Sequence, residues 1–288
     1  MATGVAEEAV AGKDTKMPHH QERNKYITHN IHSKRTKVKN LNVRYLAGGQ
    51  GDPLIIIHGG GDGARAWRKN AEELSKYYSV YIPDLPGFGH SQSASDKFRL
   101  PEFVSFIEDF RQALGIEHFH LVGHSVGGGI ALHYALKFPQ KVKGLVLVSS
   151  WCLGIEAALW VRLLSHPALC QSLGEAAIAI LRGVKWLARL FYAPFKFANP
   201  ITRVKMDVGK TMITLRGQTT VLQDRLCELN MPTLIVWGSG DRIVPAAHAY
   251  VAAELIPDCQ LHIFEGCGHS VYKQRAGEFS QLLANFLD

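Results

Sequence analysis

The chain has 288 residues, 47% of them hydrophobic and 20% charged, which is ample material for a large globular core. No apolar run reaches the roughly 18 residues a membrane-crossing helix needs. The first thirty residues hold Glu7, Glu8 and Asp14, and they lack both a signal-peptide core and the acid-poor pattern of a transit peptide. The net charge of +7 is uneven: residues 1–40 carry eight Lys/Arg against four Asp/Glu, and residues 151–222 carry nine against three. A basic stripe on the folded core, the mark of a nucleic-acid binder, is therefore not expected. Cys152, Cys170, Cys227, Cys259 and Cys267 form no Cys-x-x-Cys pair and read as reduced thiols in a cytoplasmic protein.

Residues 1–35 are polar and aperiodic and read as a flexible N-terminal tail. From Thr36 the pattern turns regular. "TKVKNLNVRYL" predicts two short strands around Asn40, and "PLIIIHGG" a β-branched strand running into glycines. "SVYIPDLPGFG" repeats that form. "PEFVSFIEDFRQALGI" sets Phe103, Phe106, Ile107, Phe110 and Leu114 at helical spacing, with Gly115 as the stop. Next come "HFHLVGHS" as strand, "GGIALHYALKFP" as helix and "VKGLVLVSS" as strand. After a long interval the alternation resumes with the strand "PTLIVWGSGD", the helix "AAHAYVAAEL", the strand "CQLHIFEG" and a final helix from Gly277 to Leu287. Apolar-run strands alternating with helices predict a mainly parallel sheet covered on both faces. Ligands of such sheets bind beyond the carboxyl ends of the strands, so a reactive group should stand just after one.

Residues 151–222 break the alternation. Within them "EAAIAILRGVKWLARLFY" places Arg182, Lys185 and Arg189 against Ile178, Leu181 and Leu190, a cationic amphipathic helix. The segment reads as a helical cap, which divides the chain into tail 1–35, core 36–150, cap 151–222 and core 223–288.

The pentapeptide Gly123-His124-Ser125-Val126-Gly127 follows a strand and opens a helix. A turn that sharp strains the serine backbone and needs small neighbours, and it lifts the hydroxyl above the sheet at a helix N-terminus. A serine hydroxyl needs a base. Of fourteen histidines, His269 in "FEGCGHSVY" stands directly after a strand; His58 opens another loop, and the His124 side chain should point away from Ser125. The imidazole needs a carboxylate to fix its tautomer. Asp241, just past "LIVW", meets that need, whereas Asp84 reads as a turn-capping residue. The developing oxyanion needs two amide donors, assigned to Val126, the residue after the nucleophile, and Gly60 in "IIIHGGGDGARAW".

In this order the motifs "HGGGDG", "DLPGFGHS", "GHSVGG", "GSGDRIVP" and "GCGHS" resemble the α/β-hydrolase fold superfamily over residues 36–288. The resemblance implies an eight-stranded, mostly parallel sheet with helices on both faces, an inserted helical cap, and the triad Ser125, Asp241 and His269. Ser125 separates the chain from members with an Asp nucleophile, the epoxide hydrolases and haloalkane dehalogenases. The sequence is similar to the meta-cleavage-product hydrolases, which split C–C bonds of ring-fission dienoates, although His124 stands where these favour Asn and Ser270 where they favour Trp. Cationic cap residues such as Arg162 or Arg182 are candidates to meet a substrate carboxylate. The expected activity is hydrolysis of a small apolar carboxylic ester through an acyl-enzyme. C–C hydrolysis of 2-hydroxy-6-oxo-dienoates is the alternative, and a ligand receptor on this fold is a reading of another class. No metal or organic cofactor is implied. The expected partner is a small-molecule substrate, with neither nucleic acid nor stable membrane insertion.

Overall fold

Lys39, at φ +50°, and Asn40 turn the chain from strand β1 (His32–Val38) into β2 (Leu41–Gly48), with Val38 opposite Leu41. The computed structural model describes residues 31–60, 62–92, 99–165 and 213–288. β1 begins ahead of Thr36, inside the segment assigned above to the tail. Its residues from His32 to Arg35 are all exposed, so no alternating apolar signal marks them; pairing as far as His32–Ala47 makes them a strand. An edge strand carrying Lys34, Arg35 and Lys37 also resists pairing with another chain.

The sheet continues through β3 (Pro53–Ile57), β4 (Ser79–Pro83), β5 (Phe119–His124) and β6 (Val142–Val148). A separate hairpin, β7 (Ile213–Thr214) and β8 (Gly217–Gln218), precedes β9 (Thr233–Gly238) and β10 (Cys259–Phe264). The eight-stranded order is β1-β2-β4-β3-β5-β6-β9-β10. β2 pairs antiparallel with β1 and β4, and every other pairing is parallel, as the apolar-run strands lead one to expect.

Alternate side chains of the central strands go to opposite faces. Ile55, Ile57, Leu121, Leu145, Leu147, Ile235 and Trp237 meet α2 (Leu100–Ala113), α3 (Val126–Lys137) and α5 (Ala247–Leu255) on one side. Leu54, Ile56, Val122, Val146, Val148, Leu234 and Val236 lie on the other side, with α1 (Arg68–Leu74), α6 (Val271–Gln274) and α7 (Ala276–Leu287). The turn Ala64–Trp67 and α1 go beyond the elements expected from sequence. Their buried Trp67, Ala71 and Leu74 keep the helical spacing that was there to be read. In α2 the predicted Phe103, Phe106, Ile107 and Phe110 are buried, and Gly115, at φ +67°, follows its end. Glu108 of α2 accepts from Arg111, Gln112 and the Tyr134 hydroxyl of α3, at 2.6 Å for the last. The Arg111 guanidinium, foremost among these partners, brings its carboxyl down to about 2.

Of residues 151–222, the described parts are 151–165, including α4 (Leu159–Ser165), and 213–222 with the β7–β8 hairpin. The helix expected around Arg182, Lys185 and Arg189 lies outside the described residues, as does Cys170. The four described cysteines are free; Cys152 and Cys267 are buried and Cys227 is exposed. Among the described residues no helix is long and apolar enough to cross a membrane.

Candidate active site

Ser125 stands between β5 and α3 with φ +56° and ψ −121°, a conformation L-residues avoid. Four backbone bonds hold it there. Its N–H donates to Val148 O at 2.9 Å, and its carbonyl accepts from Gly128, Gly129 and Trp151 at 2.9, 3.2 and 3.1 Å. Strain of this kind persists only where the surroundings over-determine it. The flanking glycines are required by close approach. A Cβ on Gly123 would lie 2.3 Å from Gly127 O, and one on Gly127 would lie 2.4 Å from Ile57 O and 2.5 Å from His58 O. Helix α3 can therefore press its first turn onto the end of β3, which brings the loop after β3 against the elbow. There a Cβ on Gly59 would meet Ser125 Cβ at 3.3 Å, and one on Gly60 would meet Val126 Cγ2 at 3.2 Å. The Gly60 and Val126 positions assigned as amide donors are thus neighbours in space.

Asp241 and His269 lie on the loops that follow the paired strands β9 and β10. Ser239 N–H donates to Phe264 O at 3.1 Å, Gly240 N–H to Cys267 O at 2.8 Å, and Gly266 N–H to Ser239 Oγ at 2.9 Å, so the two loops form one unit. Within it His269 Nδ1 donates to Asp241 Oδ2 at 2.8 Å, leaving Nε2 as the acceptor. Asp241 Oδ1 accepts from the amides of Ile243 and Val244 at 2.8 and 3.1 Å. Its side chain is fully shielded from solvent. That burial opposes ionisation, but the His269 ring and the two amides outweigh it and hold the carboxyl below its ordinary value.

The elbow and this unit are joined through His124. Its Nε2 donates to the His269 carbonyl at 2.8 Å, and the two rings are 4.9 Å apart. Burial, reinforced by His269, pushes the His124 ring down to about 3, so it stays neutral. Among the described residues no hydrogen bond joins Ser125 Oγ to the His269 ring; in substrate-free enzymes such contacts are often long and tighten on binding.

Other residues weighed in the sequence are structural. His58 Nε2 accepts from Leu85 N–H at 3.0 Å, which leaves Nδ1 to donate to Gly59 O. Asp84 accepts from Ala64 N–H at 2.7 Å, His90 N–H at 3.0 Å and Arg44 at 3.1 Å, a turn-holding role. Arg162 donates from Nε and Nη2 to Leu215 O. Sequence reasoning passed over Asp62 and Tyr272, which bond to each other at 2.8 Å across 210 residues of chain. Their only signal was position, inside "HGGGDG" and just after "GCGHS".

A strained serine between strand and helix, on a sheet of this order and with a hydrogen-bonded aspartate and histidine after later strands, is the arrangement of the α/β-hydrolase class. The chain belongs to that family: the model of the alpha/beta hydrolase fold matches residues 52–218 and 214–276. It is 32% identical over 257 residues to a 2-hydroxymuconate semialdehyde hydrolase from Pseudomonas sp. strain CF600, covering 83% of this chain and 88% of that one. A solved meta-cleavage product hydrolase from Pseudomonas fluorescens IP01 is similar at TM-score 0.67 and 25% identity, covering 88% and 96% of the two chains. A bacterial membrane phospholipase A matches at TM-score 0.67 and 25% identity, covering 90% and 86%.

Proposed function

We propose that the chain is a serine hydrolase that cleaves a small apolar carboxylic ester through Ser125, His269 and Asp241. The observation that carries this reading is the 2.8 Å Asp241–His269 pair on loops joined through His124 to the strained Ser125. His269 Nε2 takes the Ser125 proton as Oγ attacks the ester carbonyl, and Asp241 stabilises the imidazolium that forms. The Gly60 and Val126 amides receive the developing oxyanion, each worth about 3–4 kcal/mol to the transition state. His269 then returns the proton to the departing alcohol. Water, with His269 again as base, releases the acid from Ser125 Oγ. In this reading residues 151–222 cap the site and choose the substrate.

A fluorophosphonate probe tests the nucleophile. The adduct mass should fall on the Ser125 peptide, and Ser125→Ala should lose turnover on the order of 10⁶-fold. A variant that retains a tenth of ester hydrolysis overturns the assignment. The names of the relatives favour a second reading, C–C hydrolysis of a ring-fission dienoate. Such a substrate presents a carboxylate and would need a cationic partner at the site; Arg162 gives Nε and Nη2 to Leu215 O and keeps its charge, and Arg182 lies outside the described residues. Kinetics on p-nitrophenyl esters beside one 2-hydroxy-6-oxo-dienoate decide between them by the ratio of kcat/KM.

A further inference from the structure

A loop of bare glycines has no side chains to hold it, yet oxyanion donors must be placed to within a fraction of an ångström. The loop after β3 is held through Asp62. Its Oδ2 accepts from the Tyr272 hydroxyl and its Oδ1 from Lys273 Nζ, both at 2.8 Å. Tyr272 and Lys273 sit in α6, the helical turn directly after His269, and α6 is tied back to the base loop. Lys273 N–H donates to Ser270 O at 3.0 Å, and Gln274 Oε1 accepts from Gly268 N–H at 2.8 Å. The Tyr272 ring is fully buried, stacked 3.9 Å from Trp67 at 7°, with the His124 ring 4.8 Å away. One support thus runs from the oxyanion loop to the segment bearing the base, and the other from the elbow, through His124, to the carbonyl of the base.

We propose that Asp62 and Tyr272 form a clamp that sets the Gly60 amide relative to His269, acting as positioning residues for hydrolysis. This rests on the serine-hydrolase reading above. The stack on Trp67 needs only an aromatic ring, so a phenylalanine would serve the core equally well; the hydroxyl serves the loop. Asp62 N–H also donates to Gly59 O at 3.2 Å, so the carboxylate held by Tyr272 stands on the same turn as the glycines. Freeing that turn displaces a donor that acts in the transition state, which lowers the chemical rate and leaves ground-state binding alone.

The test is inactivation by a fluorophosphonate, resolved into kinact and KI, on wild type, Tyr272→Phe, Asp62→Ala and Asp62→Asn. Tyr272→Phe and Asp62→Ala should lower kinact about tenfold with KI within about twofold. Asp62→Asn, whose amide bonds the Tyr272 hydroxyl in either orientation, should restore most of kinact. Folded Tyr272→Phe and Asp62→Ala proteins that label at the wild-type rate overturn the clamp, as does Asp62→Asn as slow as Asp62→Ala. Should Tyr272→Phe not fold, the two Asp62 variants, altered at a partly exposed loop position, decide alone. Wild type that takes no label on Ser125 overturns the hydrolase reading itself, and the clamp with it.

Discussion

Asp241→Asn separates orientation of the base from integrity of the fold. The wild-type carboxylate accepts three bonds, two backbone amides on Oδ1 and His269 Nδ1 on Oδ2. The D241N side chain has one acceptor oxygen. Turned toward Ile243 and Val244, that oxygen keeps both amide bonds and aims the NH2 group at His269 Nδ1. The imidazole must then carry its proton on Nε2 and is unable to accept one from Ser125. Turned the other way, the NH2 group faces two amide N–H donors in a site closed to water, and leaving them unsatisfied costs about 1–3 kcal/mol each. The first orientation wins, and the wrong tautomer follows. In serine proteases with this triad the same change costs about 10⁴ in kcat, which is about 5.4 kcal/mol of barrier. The assay pairs p-nitrophenyl ester kinetics with a urea melt at pH 7. The expectation is a loss of about 10⁴ in turnover with stability lowered by no more than about 2 kcal/mol, because both amide bonds survive and the third is remade in the opposite direction, from NH2 to Nδ1, without its charge. Turnover above a tenth of wild type in a folded D241N enzyme refutes Asp241 as the orienting acid. A collapse in stability of about 5 kcal/mol refutes the account of which bonds survive.

Two further outcomes follow from the packing. Gly127→Ala forces a methyl group against the Ile57 and His58 carbonyls, where only backbone can give way. It should cost about 2–3 kcal/mol in a thermal melt and about 100-fold in kcat, through the displaced elbow; unchanged kcat contradicts the close-packing argument. Glu108→Gln should destabilise by about 1–2 kcal/mol at pH 7, allowing for its partial exposure. The Glu108 carboxyl is lowered from 4.5 to about 2 in the fold, so its contribution is complete above pH 4.5 and disappears as pH falls toward 2. Urea melts should show the gap between wild type and variant narrowing from pH 4.5 to 3; a constant gap removes the ion pair from the account.

The sheet was legible because each central strand is apolar on both faces and each ends at a glycine, proline or polar residue. The positions of Ser125, Asp241 and His269 were legible by a single topological rule, that ligands gather where parallel strands end. What escaped was either polar or distant. β1 from His32 to Arg35 exposes every side chain, so nothing in its composition announces a strand. The turn Ala64–Trp67 and α1 together show the right spacing at Trp67, Ala71 and Leu74, but they follow directly on a glycine run, which by itself reads as loop. The Asp62–Tyr272 bond spans most of the chain, and no local period encodes a contact of that separation. The bond from Arg162 to Leu215 O likewise leaves no mark on a sequence, because its acceptor is backbone.

The long segment between β6 and β9 has one more consequence. These strands are hydrogen-bonded parallel neighbours, so the chain leaves β6 at its carboxyl end, where Ser149 N–H donates to Val236 O at 2.9 Å, and must cross back to enter β9 at its amino end, where Leu145 N–H donates to Pro232 O at 2.9 Å. Lengthening a loop between closed ends costs only about 0.6 kcal/mol per doubling. Exchange of material within that crossover therefore need not disturb the strand register, provided that Leu153, Ala157, Ile213, Leu222 and Leu226, which pack into the core beneath it, are kept.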